Sequence, residues 1–156
     1  MNQQSLPQAL QEQWRLRLEN FNDRASPELR DWLAARIEAS EPQFLDELKL
    51  VWSCSEFVAS ACTVNAEMFK QLVESGDLAA SYSPEQMYDR LSGLLAVVDS
   101  DDGLMQQLRR FRNREMVRIV WRDFTQAASL EETTGDMTRL AEACLQSALE
   151  SLSPHA

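Results

Sequence analysis

The chain has 156 residues, 44% hydrophobic and 26% charged, with four Gly and five Pro, which excludes a disordered, collagenous or low-complexity polypeptide. A length of one domain is enough to bury a core without disulfide or metal staples. A formal charge of −10 speaks against nucleic acid or an anionic membrane as partner, no run is apolar enough to span a bilayer, and the start MNQQSLPQAL has no leader pattern, so a cytoplasmic location is expected.

Every long periodic segment carries the helical period, and each is introduced by Ser, Asn or Asp with Pro or an acidic residue after it. Ser5 and Pro7 open a first helix with the stripe Leu6, Leu10, Trp14 and Leu18, ending near Asn20. Ser26 and Pro27 are an N-cap and a first-turn proline ahead of Leu29, Trp32, Leu33 and Ile37. Ser40, Glu41 and Pro42 begin a third segment that turns Phe44, Leu45, Leu48, Val51 and Trp52 inward. After an interruption at Ser53–Ser55, Phe57, Val58, Ala61 and Cys62 form the next inward face. Asn65 caps a short helix with Met68, Phe69, Leu72 and Val73, which Gly76 terminates in a left-handed conformation.

A loop from Asp77 to Ser83 follows, and then the capping box Ser83-Pro-Glu-Gln86. Its helix buries Met87, Leu91, Leu94, Leu95 and Val98, and Asp99 to Gly103 is the break. The longest helix is expected from Leu104 to about Ala127. A second capping box, Ser129-Leu-Glu-Glu132, starts the last helix, weakened at Gly135, with Met137, Leu140, Cys144, Leu145, Ala148 and Leu152 inward. No useful stretch alternates with period two and no glycine-rich turn follows a β-branched run, so the expected class is all-α, a multi-helix bundle forming a single helical domain over residues 1–156.

The longest helix carries the most uneven charge: six arginines against one carboxylate, Glu115, between Arg109 and Arg122. Arg110, Arg114, Arg118 and Arg122 follow one another at i, i+4 and share a face, while Met116, Val117, Ile119, Val120, Trp121 and Phe124 cover most of the rest. Two readings follow. The helix is central and its guanidinium groups pair with carboxylates of other segments, or part of the stripe faces an anionic substrate or partner. Thirteen Arg against two Lys suit bidentate contact with phosphate or carboxylate.

Catalytic groups are scarce. A Cys or Ser nucleophile needs a base, and the only histidine, His155, is one residue from the end. Cys54, Cys62 and Cys144 make no CxxC pair and read as small core residues; Asp99-Ser-Asp-Asp102 lacks the alternating ligands of an EF-hand and reads as a solvated turn and N-cap. The expectation is no catalytic residue and no metal ligand. Trp14, Trp32, Trp52 and Trp121 lie on apolar stripes as packing anchors.

The segment LRRFRNREMVRIVWRDF (Leu108–Phe124), followed by Leu140-Ala-Glu-Ala-Cys144, resembles the amino-terminal region of the bifunctional glutamine synthetase adenylyltransferase/adenylyl-removing enzymes. Ser55-Glu-Phe-Val58, Ser75-Gly-Asp-Leu78 and Ser81-Tyr-Ser-Pro84 are similar to the same region in the same order. The resemblance runs from about Trp52 to Leu149. It implies a large enzyme with two nucleotidyltransferase units, one placing AMP from ATP on a tyrosine of glutamine synthetase and the other removing it by phosphorolysis, under a nitrogen-signalling regulatory protein. It implies magnesium and ATP for the full-length enzyme, and as partners glutamine synthetase and the rest of the enzyme's own chain. The family's Gly-x-Gly-Lys-Leu-Gly-Gly-x-Glu and Ser-Asp-x-Asp motifs do not occur in this sequence. The resemblance therefore implies a helical lead-in, inactive alone, with Arg110, Arg114 or Arg118 as its candidates for contact with phosphate or adenylylated substrate. The rival reading is a free-standing helical interaction module that takes an acidic or phosphorylated partner on the arginine stripe.

Overall fold

The computed structural model describes residues 6–39 and 42–152, and among these the regular structure is helical throughout. Helices α1 (Gln8–Arg24), α2 (Pro27–Ala39), α3 (Pro42–Cys54), α4 (Glu56–Val64) and α5 (Ala66–Ser75) are followed by a 3-10 turn, Asp77–Ala79. Then come α6 (Gln86–Leu95), α7 (Asp101–Phe124) and α8 (Leu130–Leu152). The roles expected of Ser5, Ser40, Glu41 and His155, and the side chain of Leu152, lie outside the described residues.

Capping chemistry sets most of the boundaries. The hydroxyls of Ser26, Ser55, Ser100 and Ser129 each accept from the amide three residues on, at 3.1 to 3.3 Å, and the Asn65 side chain does the same for Met68. Ser55 thus separates α3 from α4. Gly76 ends α5 at φ 81°; nothing lies within 4 Å of a Cβ placed there, so the left-handed backbone alone asks for glycine. The end of α7 uses the same conformation without glycine: Gln126 has φ 60°, and the amides of Ala127 and Ala128 donate to the Arg122 carbonyl.

The apolar residues assemble into two clusters. Phe21, Leu33, Leu48, Val51, Trp52, Val58, Cys62, Phe69 and Leu72 centre the first, built by α1 to α5. Trp52 meets Trp14, Phe21 and Phe69 in tilted pairs at ring distances of 5.5 to 6.0 Å, and Phe69 passes the contact on to Trp121. The second cluster joins Met87 and Leu91 of α6 to Phe111 and Ile119 of α7 and to Leu140 and Ala143 of α8. Helix α7 belongs to both, since Val117 and Trp121 enter the first and Phe111 and Ile119 the second.

Several expectations are corrected. Helix α1 runs past Asn20 to Arg24, and its deepest residue is Phe21. Phe57 and Leu94 are exposed, because the short helices α4 and α6 turn only one narrow face to the core. Helix α6 stops at Leu95, and Ala96 to Asp99 make the reversal into α7. Helix α7 begins at Asp101 and ends at Phe124; Ser100 caps it, and the acidic pair Asp101 and Asp102 occupies the first turn, where the helix dipole favours negative charge. Only half of the first capping box forms: the Ser83 amide donates to Gln86 Oε1. Helix α8 is continuous through Gly135, and its buried face is rotated from the expected one: Asp136, Leu140, Ala143 and Ser147 are buried, whereas Met137 and Leu145 are exposed.

Candidate functional site

The arginine stripe of α7 turns toward the loop that follows Gly76. Arg118, with no exposed surface, donates from Nε to the Asp77 carbonyl at 3.1 Å, from Nη2 to the Ala80 carbonyl, and from Nη1 to Asp136 Oδ2 at 3.1 Å. One turn on, Arg122 donates to the Leu78 carbonyl at 3.1 Å, to Ser81 Oγ at 3.3 Å and to Glu132 Oε2 at 2.8 Å. One turn back, Arg114 reaches Asp77 Oδ2 at 2.7 Å and Glu115 Oε1 at 3.0 Å. Three consecutive stripe arginines therefore hold residues 77–82 by backbone and side chain. A loop without sheet or helix partners must satisfy its carbonyls elsewhere, and planar guanidinium forks do so here.

The loop answers with its own side chains. Asp77 bridges Arg114 of α7 and Arg90 of α6, the latter at 2.8 Å. The Tyr82 ring lies under Arg118, whose guanidinium carbon stands 3.3 Å from its centroid, and its hydroxyl donates to buried Glu115 Oε1 at 2.6 Å. Helix α8 closes the far side. Glu132 and Asp136, four residues apart, meet Arg122 and Arg118, also four apart, so two antiparallel helices present charge ladders of equal pitch. Glu132 uses its carboxylate here instead of returning to its own helix cap, and it also accepts from the Ser81 hydroxyl.

Burial works against the charge on Asp77, but the hydrogen bonds and charges of Arg90 and Arg114 outweigh it and hold the carboxyl well below the usual range. Glu132 is also held low, by Ser81 and Arg122. Glu115 shifts the other way: burial pushes its carboxyl up, and Tyr82 with the surrounding arginines opposes this only in part. Burial likewise raises the Cys62 thiol, which makes it a core residue with little thiolate character.

Of the three arginines singled out in the sequence, Arg114 and Arg118 come together in this cluster and Arg110 does not. Arg110 is exposed, with no ion-pair partner among the described residues. Reasoning from sequence missed Asp77, Tyr82, Arg90, Glu132 and Asp136. The matching four-residue spacings of Glu132/Asp136 and Arg118/Arg122 were the available signal.

The donor set does not suit magnesium or the phosphates of ATP. The clustered carboxylates already neutralise arginines, the donors of Arg118 point at carbonyls and Asp136, and no group of three His, Cys, Asp or Glu among the described residues is arranged to hold a metal. A groove of about 610 Å³ on the other side of the 3-10 turn, lined by Arg36, Phe44, Glu47, Leu78 and Thr125 among others, offers no paired nucleophile and base. No helix among the described residues is long and apolar enough to cross a membrane.

The cluster draws together the segments that gave the sequence its resemblance, Ser75–Leu78, Ser81–Pro84 and Leu108–Phe124. Residues 45–155 match the family described as glutamate-ammonia ligase adenylyltransferase. The chain belongs to that family. It is 43% identical over 133 residues to the bifunctional glutamine synthetase adenylyltransferase/adenylyl-removing enzyme of Nitrosococcus oceani, a match covering 80% of this chain and 14% of the relative. The protein of the same description from Pseudomonas aeruginosa is 37% identical over 116 residues, 74% of this chain and 12% of the relative. That from Pseudomonas syringae pv. tomato is 32% identical over 141 residues, 90% and 14%. The chain thus spans about one seventh or less of the length of these relatives. No solved structure matches it.

Proposed function

We propose that this chain is a single helical domain of an enzyme that adds AMP to glutamine synthetase and removes it, and that it carries no catalytic residue of its own. The observation that carries the reading is the family match over residues 45–155, which contains the whole arginine cluster. Catalysis, ATP and magnesium belong to the remainder of the enzyme, in the cytoplasm, where glutamine synthetase and a nitrogen-signalling regulatory protein are its partners. What supports a non-catalytic role is the chemistry of the cluster: its charges are spent on one another and on loop carbonyls, leaving no group free to attack or to hold a nucleotide.

The arginines divide by exposure. Arg118 acts by fixing the 77–82 loop, Arg114 does so at the cluster's edge, and Arg110 is the one of the three that is exposed, and so open to a phosphate or an adenylylated substrate. The inward direction of Arg118 and Arg122 weighs against a free-standing module that binds a partner along the stripe.

The test is a pair of assays. The isolated chain, mixed with glutamine synthetase, ATP and magnesium, incorporates no AMP. The Nitrosococcus oceani relative, carrying this chain in place of its own matching stretch, does. Incorporation by the isolated chain, or a folded but inactive chimera, overturns the proposal.

A further inference from the structure

Helix α8 is apolar on two sides. One side, Leu140 and Ala143, is buried against α6 and α7. The other begins at Met137, 45% exposed, and continues through Ala141 to Leu145 and Leu149, 62% and 56% exposed. At 100° per residue these four lie within one stripe, and the half-buried Cys144 and Ala148 edge it. A helix apolar on opposite sides is an interior helix, and a stripe of this length is unusual on a free surface. Near its edge, on α7, stands Arg112, exposed and without an ion-pair partner among the described residues; burial raises the Cys144 thiol, and Arg112 is near enough to oppose that in part.

We infer that the stripe Met137, Ala141, Leu145 and Leu149 is the seat of another part of the same polypeptide, an apolar surface with an acidic residue at its rim that meets Arg112. The inference rests on the reading of this chain as one piece of a longer adenylyltransferase. Relatives matched over only 12 to 14% of their length hold ample polypeptide to cover such a stripe, and covalent linkage gives it a high effective concentration. A second copy is the poorer occupant. A two-fold contact sets a patch against itself, and would bring Arg112 of one rim toward Arg112 of the other.

The experiment compares the isolated chain with the Nitrosococcus oceani chimera described above by hydroxyl-radical footprinting. In the isolated chain Met137, Leu145 and Leu149 label freely; in the chimera their labelling falls to the level of buried Leu140, while Val64, exposed on α4, labels equally in both. The double variant Leu145→Asp, Leu149→Asp leaves the melting midpoint of the isolated chain unchanged and lowers that of the chimera. Free labelling of the stripe in a chimera that transfers AMP overturns the docking and leaves the functional reading standing. A folded, protected chimera without AMP transfer has the opposite consequence. A dimer of the isolated chain that protects the stripe assigns it to a second copy and also overturns the inference.

Discussion

Arg118 shows how one side chain can organise a loop. It is fully buried, yet each of its three nitrogens has a partner: Tyr82 lies under one face, Asp136 takes the charge at Nη1, and the carbonyls of Asp77 and Ala80 accept from Nε and Nη2. Truncation leaves Asp136 buried with only its longer contact to Arg139, at 3.5 Å, and takes a donor from each of two carbonyls, so Arg118→Met is expected to cost about 3–5 kcal/mol. Arg110→Met, about two turns back on the same stripe and exposed, should stay within about 0.5 kcal/mol of the parent. Urea unfolding of the two variants checks this, and equal midpoints would show that the stripe contributes nothing to the fold. The four-residue rhythm of these arginines was plain in the sequence, but their direction was not. Their partners stand far along the chain, 18 residues for Asp136 and 41 for Asp77, and a periodic face carries no record of what lies opposite.

At the level of elements, boundaries were legible at most cap side chains: Ser26, Ser55, Asn65 and Ser129 each sit where a helix begins, whereas Ser100, inside an acidic turn, was not singled out as the cap of α7. Inward faces were less so. Helix α8 has apolar residues on two sides, and a choice by apolarity selected a mixture of both; the buried side is marked instead by polar Asp136 and Ser147, which apolar periodicity passes over. The contacts that tie the loop to α6, α7 and α8 are ionic, and their dependence on pH has a definite sign. Asp77 and Glu132, with ordinary values of 3.8 and 4.5, are both lowered by folding. The unfolded chain therefore binds protons first, and the stabilisation they bring is whole above those values and drains away as pH falls below them. Glu115, raised by burial, acts oppositely: its contribution is whole below its ordinary value of 4.5 and is lost as pH rises through the folded value. Measured by urea unfolding from about pH 6 to about pH 3, stability should fall toward acid, and Asp77→Asn, less stable at neutral pH, should show a flatter acid limb. An unchanged acid limb in that variant would mean that Asp77 is not held low.

Across the whole molecule the two apolar clusters share a single helix. The resemblance carried by Ser75–Leu78, Ser81–Pro84 and Leu108–Phe124 was legible from residues alone, but that these segments meet in space was not, because the stripe and apolar faces of α7 do not say which segment lies against each. In the structure Val117 and Ile119, two residues apart, enter different clusters. A helix packed on both sides that loses one cluster loses the packing that holds it helical for the other, so the two should unfold together. The chain offers a built-in probe of this. Trp14, Trp32, Trp52 and Trp121 all belong to the first cluster or pack against it, whereas Leu91, fully buried, belongs to the second. Leu91→Ala removes a buried side chain and is expected to cost about 2–5 kcal/mol. If α7 couples the clusters, the tryptophan fluorescence transition in urea shifts by that full amount and coincides with the loss of helical circular dichroism. A fluorescence midpoint that stays at the parent value while the helical signal falls in two steps would divide the chain into independent halves, with the arginine cluster failing to hold them as one.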